Sequence, residues 1–216
     1  MKYKAVLFDL DGTLLDTLKD IADSVNAALS QFGFPVHKVE AYKYFIGDGR
    51  EVMVSRALPE RCREEATVSK VATCVNKEYA KRWPNNARPY AGIPRLLDAL
   101  SNRDIRTVIL SNKPDDFTKL MASKLLSRWQ FEVVAGSRPL LPRKPDPSAA
   151  MQIALQLNIQ PSEFLYLGDS GVDMMTAVAA GMYPVGALWG FRDADELLAQ
   201  GARELIKHPP DLLSLL

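Results

Sequence analysis

Two aspartates stand where an apolar strand should simply end. Ala5-Val6-Leu7-Phe8 reads as a short buried strand, and Asp9 and Asp11 of FDLDGTLLDT follow at once. A second pair, Asp169 and Asp173, closes the apolar run EFLYLGD and opens the next helix, one turn apart on one face. Four carboxylates brought to one edge repel each other unless a cation joins them. A hard divalent ion resolves this, and Mg²⁺ suits oxygen ligands with several waters retained. Two further clusters have the opposite character. Ser111 and Asn112 precede Lys113-Pro114, which places them at a helix N-terminus, where free N–H groups and the dipole favour an anion. Lys144 sits in RPLLPRKPDP among Pro142, Pro145 and Pro147, a stiff loop that can present a point charge. Metal, hydroxyl, lysine and helix end together make a cradle for a phosphoryl group. Each alone has an ordinary explanation as a cap, a turn or a solvated lysine. What gives them weight is that all four fall, in order, at predicted strand ends.

Those strand ends belong to an alternating pattern. Strands are expected at 3–8, 106–111, 131–136, 163–169, 184–188 and 204–206, with helices near 93–103, 114–128, 148–157, 171–180 and 194–200. Alternation of this kind argues for an α/β fold, a parallel sheet wrapped by helices, whose ligands bind at the carboxyl ends of the strands. Between the first strand and the turn-rich PNNARPYAGIP lies a stretch without a convincing strand. Helices are expected there at 17–32, 37–45, 49–58 and 60–82. The chain therefore divides into a core domain of residues 1–15 and 86–216 and an inserted helical domain of residues 16–85. In that insert, YFIGDGREV carries Gly47 and Gly49 beside a helix start, and Arg50 offers a bidentate anion ligand. Trp189-Gly190-Phe191-Arg192 follows the fifth strand and would border the same rim as the carboxylates.

Composition narrows the functional class. The 216 residues are 47% hydrophobic and 25% charged, with a formal net charge of +1, so no basic face for nucleic acid or anionic membrane is expected. Cys62 and Cys74 fit neither a disulfide framework nor a metal-binding CxxC. With no cleavable leader and no apolar run near 20 residues, the reading is a soluble cytoplasmic protein, monomer or homodimer.

The motifs resemble those of the haloacid dehalogenase-like hydrolases. DLDGT at 9–13 resembles the first motif, ILSNK at 109–113 the second, Lys144 in RKPDP the third and GDSGVD at 168–173 the fourth. SNKP, KPDP, GDSGVD and GALWGF resemble the phosphoglycolate phosphatase-like branch in particular. The resemblance implies a Rossmann-like core with strand order 5-4-1-2-3 and a helical cap inserted after the first motif. It implies that Asp9 is the nucleophile and Asp11 the acid and then the base. It makes Asp9, the Asp11 backbone carbonyl and Asp169 ligands of Mg²⁺, with Asp173 acting directly or through water. Ser111, the Asn112 backbone and Lys144 would hold the phosphoryl oxygens. Asp at position 11 speaks against the dehalogenase branch. The expected activity is phosphatase action on a small phosphorylated metabolite, with Gly47, Gly49 and Arg50 touching the leaving group. A sugar phosphomutase, a pyrophosphatase or a nucleotidase would use the same core residues. A non-catalytic binding protein is disfavoured because every motif residue needed for turnover is present.

Overall fold

The computed structural model describes residues 2–216, whose contacts group into two compact units, residues 2–15 with 89–216 and residues 16–88. The larger unit is built on a six-stranded parallel sheet. Its strands are β1 (Ala5–Phe8), β4 (Arg106–Pro114), β5 (Val133–Ser137), β6 (Phe164–Gly168), β7 (Tyr183–Ala187) and β8 (Glu204–Ile206). Two short strands, β2 (Leu15–Asp16) and β3 (Arg88–Pro89), form a separate ribbon where the chain passes between the units. That ribbon was not foreseen, because two-residue strands leave no periodicity to read.

The order in the large sheet is β5-β4-β1-β6-β7-β8. Counting only sheet strands, this is the expected 5-4-1-2-3 with a sixth strand added at one edge. β1 lies at the centre, paired with β4 and β6, and all four of its residues are buried. Covered on both faces, it has no polar side to show, which explains an unbroken AVLF run. Ala5 and Leu7 join Val108, Leu110, Phe164 and Tyr166 in one core cluster. The helices α7 (Ser148–Leu157) and α8 (Gly171–Ala179) close it with Ala150, Ile153, Ala154 and Ala177. Strand alternation turns Val6, Phe8 and Ile109 to the opposite face. The unit also holds α5 (Ile93–Ser101), α6 (Asp115–Leu125) and α9 (Ala194–Ala199).

The second unit contains α1 (Leu18–Gln31), α2 (Tyr42–Phe45), α3 (Arg50–Ala57) and α4 (Glu65–Arg82). Ile21, Ala22, Val25, Ala28 and Leu29 of α1 and Val71, Ala72, Val75 and Tyr79 of α4 are its main buried stripes. The helix expected over 60–82 is broken: a 3-10 turn spans Glu60–Cys62, and Glu64 is extended before α4 begins. Asp20, inside the first turn of α1, accepts from the Asn86 and Ala87 backbone N–H groups and from the Asn86 amide. It ties the returning chain to the departing one. Cys62 and Cys74 are free thiols.

Candidate active site

Phe8 lies opposite Leu167, and Asp9 N–H continues the ladder to the Leu167 carbonyl at 3.0 Å. Asp9 and Gly168-Asp169 therefore leave the sheet together at its carboxyl edge. α8 starts two residues later, and Ser170 caps it by a reciprocal bond with Asp173. As a result, oxygens of Asp9, Asp169 and Asp173 all lie within 4.8 Å of one another. The three residues are 7%, 1% and 1% exposed.

Ser111 and Asn112 reach the same edge by a different route from the one the sequence indicated. β4 runs on to Pro114, past the end of β1, and α6 begins only at Asp115 with Pro114 as its N-cap. Both residues therefore belong to an overhanging strand and do not sit at a helix N-terminus. The chain stays extended because Pro114 restricts Lys113 and because β5 offers a partner, Ser137 opposite Pro114. Ser111 is buried and accepts from the Lys113 N–H at 3.3 Å. Asn112 uses its amide on Lys144, donating to the Lys144 carbonyl and accepting from its N–H.

Lys144 spends its three ammonium protons within the site, on Asp173 at 2.6 Å, Asp9 at 2.7 Å and the Leu110 carbonyl at 3.1 Å. Burial would lower its pKa, but Asp173 and Asp9 outweigh this and hold the ammonium well above the usual lysine range. One ammonium shared by two carboxylates does not neutralise both. Burial pushes Asp9 up to about 7, with Asp173 adding to the effect and Lys144 opposing it. Burial likewise raises Asp169 well above the usual carboxylate range, reinforced by Asp9 and Asp173.

Asp169 is held by neutral donors alone. Thr13 Oγ1 donates to its Oδ1 at 2.8 Å and the Phe191 N–H to its Oδ2 at 2.8 Å. The backbone closes in around it: a Cβ on Gly12 would fall 2.2 Å from Asp169 Oδ2, and one on Gly190 would fall 2.2 Å from Asp169 Cβ. Gly12 also needs its φ of +89°, which turns the chain directly after Asp11. Asp173 differs. Its Oδ1 accepts from Lys144 and from the Tyr166 hydroxyl at 3.4 Å, and its Oδ2 accepts from the Ser170 hydroxyl and N–H. Asp11 stands on the far side of the turn, where both its oxygens meet Lys113 Nζ.

Asp9, Asp11, Asp169 and Asp173 against Lys113 and Lys144 leave an excess of two formal negative charges. No ammonium or guanidinium among the described residues pairs with Asp169. A buried carboxylate in that position, with two others within reach, fits one divalent cation bound through oxygen.

The family model of the haloacid dehalogenase-like hydrolases matches residues 6–187. The chain belongs to this family. Among haloacid dehalogenase-like relatives, a phosphoglycolate phosphatase of Xanthomonas campestris pv. campestris is 32% identical over 212 residues, covering 97% of this chain and 94% of its own. One of Aquifex aeolicus is 28% identical over 213 residues, covering 99% and 96%. A crystal structure from Lactobacillus delbrueckii subsp. bulgaricus, described as a candidate phosphoglycolate phosphatase, superposes with a TM-score of 0.93 at 28% identity. It covers 100% of this chain and 98% of its own. The family motifs, read in sequence as four separate clusters, thus come together at one sheet edge here.

Four residues at this edge were not singled out from sequence for what they do. Lys113 was read only as part of SNKP, yet strand alternation from Ser111 would have turned it the same way. Tyr166 is buried in β6, and burial pushes its phenol well above the usual tyrosine range, against the pull of Lys144, so it remains a donor. Phe191 acts through its backbone, which no side-chain pattern reveals. Trp189 donates its indole N–H to the Thr13 carbonyl at 3.0 Å, so the segment that borders the rim and meets Asp169 through Phe191 also braces the Asp11–Thr13 turn.

Gly47, Gly49 and Arg50 lie in the helical unit. Both glycines have positive φ, +131° and +94°, and Gly49 is the N-cap of α3. Arg50 pairs with Glu51 at 2.6 Å, while its buried Nε has no acceptor among the described residues. No helix of the described residues is long and apolar enough to cross a membrane.

Proposed function

We propose that this chain is a Mg²⁺-dependent phosphomonoester hydrolase that acts on a small phosphorylated acid of the phosphoglycolate type through an aspartyl phosphate on Asp9. The observation that carries the reading is the Asp9 carboxylate, buried against Lys144 and within 4.8 Å of Asp169 and Asp173. The phosphoglycolate phosphatases among its relatives support the substrate class.

Asp9 attacks phosphorus, the bond to the ester oxygen breaks, and Asp11 gives that oxygen its proton. Asp11 then takes a proton from water as the water oxygen attacks the aspartyl phosphate. Phosphate leaves and the Asp9 carboxylate is restored. Asp9, Asp169 and the Asp11 carbonyl would hold the Mg²⁺, which supplies positive charge between two groups that otherwise repel. Lys144 adds charge from the other side and would share its protons with the phosphoryl oxygens, beside the Ser111 hydroxyl and the Asn112 backbone. Every oxygen of Asp173 already has protein donors, which supports a role in holding Lys144, with any contact to the metal made through water.

The helical unit, residues 16–88, is taken as a cap that selects the leaving group, with Gly47–Arg50 as its contact. The protein is placed in the cytoplasm as a monomer or homodimer. Steady-state hydrolysis of a phosphate-ester panel with Mg²⁺ tests the reading. Hydrolysis of 2-phosphoglycolate that vanishes in Asp9→Asn is the expected result. Persistent Mg²⁺-dependent turnover by Asp9→Asn would sink the nucleophile assignment. Conversion of glucose 1-phosphate to the 6-phosphate with a bisphosphate primer would replace hydrolysis by phosphoryl transfer to sugar.

A further inference from the structure

We infer that Lys113 is a positioning residue for Asp11: it fixes the plane of the carboxylate that serves as acid and base. The inference rests on the proton-transfer role proposed above for Asp11. Lys113 Nζ lies 3.1 Å from Asp11 Oδ1 and 3.0 Å from Oδ2, across 102 residues of sequence. The two side chains are only 5% and 11% exposed.

Two observations set this pair apart from an incidental ion pair. First, the root of the lysine is fixed. Its N–H donates to Ser111 Oγ, its carbonyl accepts from Thr118 Oγ1 at 3.2 Å, and a Cβ on Gly136 would come within 2.7 Å of that carbonyl. The ammonium thus projects from a rigid strand end. Second, the pairing is selective: the Lys113 ammonium meets both oxygens of the one carboxylate Asp11, while Lys144 serves Asp9 and Asp173. Replacing both members by apolar groups would avoid the desolvation that the buried pair costs, so stability alone is a weak reason for an ion pair here.

The need for such a clamp follows from the chemistry. The terminal torsion of aspartate is broad and roughly two-fold. A carboxylate that must give a proton to one oxygen and later take one from water needs a defined plane within hydrogen-bond reach of both. A donor that contacts both oxygens supplies it.

The test compares kcat/KM, which reports the step that expels the leaving group, for two esters. 2-Phosphoglycolate has a poor leaving group that needs a proton, and p-nitrophenyl phosphate has a good one that does not. Lys113→Met is expected to lower kcat/KM for 2-phosphoglycolate by about 10²-fold and for the aryl ester by at least about tenfold less. Lys113→Arg should recover most of the loss, and competitive inhibition by inorganic phosphate should stay at its wild-type strength. Equal losses on both esters, weaker phosphate inhibition or no loss at all would overturn the inference. Lys113→Gln, which keeps a donor, serves if the methionine variant does not fold, with the same selective loss expected and the same outcomes overturning it. Asp11→Asn separates the two levels. A selective loss in Asp11→Asn without one at position 113 removes only the positioning role. No selectivity in Asp11→Asn removes the acid assignment itself.

Discussion

Asn112 clasps the Lys144 peptide from both sides, Nδ2 donating to its carbonyl and Oδ1 accepting from its N–H, each at 3.0 Å. A strand end thereby fixes a Pro-rich loop, and with it the ammonium that meets Asp9. Asn112→Ala leaves two buried backbone groups without partners, at about 1–3 kcal/mol each. The expected result is a loss of about 2–6 kcal/mol in urea unfolding and an inorganic-phosphate inhibition constant raised about tenfold. Inhibition of wild-type strength would show that the loop holds its place without the clasp.

Gly190 leaves no room for a side chain beside Asp169. Gly190→Ala must therefore displace either Asp169 or the segment that donates the Phe191 N–H to it. Mg²⁺ affinity measured by calorimetry should fall by about 10–100-fold, the range for losing support behind a metal ligand. An unchanged affinity would mean that the Trp189–Phe191 segment moves away at no cost to Asp169.

Stability without metal should depend on pH in an unusual sense. Burial raises Asp9 from 3.8 to about 7 and also raises Asp169. The folded chain then holds protons that the unfolded chain has released, so stability falls as pH rises from about 4 to about 7. If the proposed Mg²⁺ takes the place of those protons, it should raise Tm more at pH 8 than at pH 5. Thermal unfolding in EDTA across this range, with and without added Mg²⁺, checks both statements. Asp9→Asn should reduce the slope.

The helical unit carries the opposite dependence at lower pH. Lys81 and Arg82, with Gln31, hold Glu78 down to about 2 from its ordinary 4.5. A depressed carboxylate contributes stability that is complete above about 4.5 and disappears as pH falls toward 2. Glu78→Gln should flatten that acid limb in far-ultraviolet circular dichroism. An acid limb identical to wild type would show that the cluster is already broken by solvent.

How much of this was legible in sequence depended on where each signal resides. Strand termini announced themselves because aspartate is foreign to an apolar run, so Asp9 and Asp169 were found at once. The sheet order came from resemblance and holds, with Glu204–Ile206 added at its edge. The position of Ser111 and Asn112 was misread, because Pro114 looks like a helix opener whether the residues before it are capping or extended. Asp16 and Thr17 are both of a type that can cap the first helix. Thr17 holds that position without a side-chain bond, and Asp16 lies 3.7 Å from Arg88. The clamp around Asp169 was invisible because Phe191 acts through its backbone, Gly12 and Gly190 through the absence of a side chain, and the Thr13 hydroxyl across more than 150 residues of sequence, which leaves no local trace.

The central place of β1 bears on how the protein is made. Synthesis runs from the amino end, so β1 emerges well before either neighbour: β4 begins at Arg106 and β6 at Phe164. The α1–α4 segment is complete by Arg82 and its helices pack on one another, so it can collapse while β1 waits. During that interval AVLF is an unpaired apolar strand, the kind of segment a chaperone binds. Pairing on both sides of β1 ends that exposure in the same event that brings Asp9 to Asp169. A nascent chain that stops before Phe164 therefore carries Asp9 and Lys144 but neither Asp169 nor Asp173.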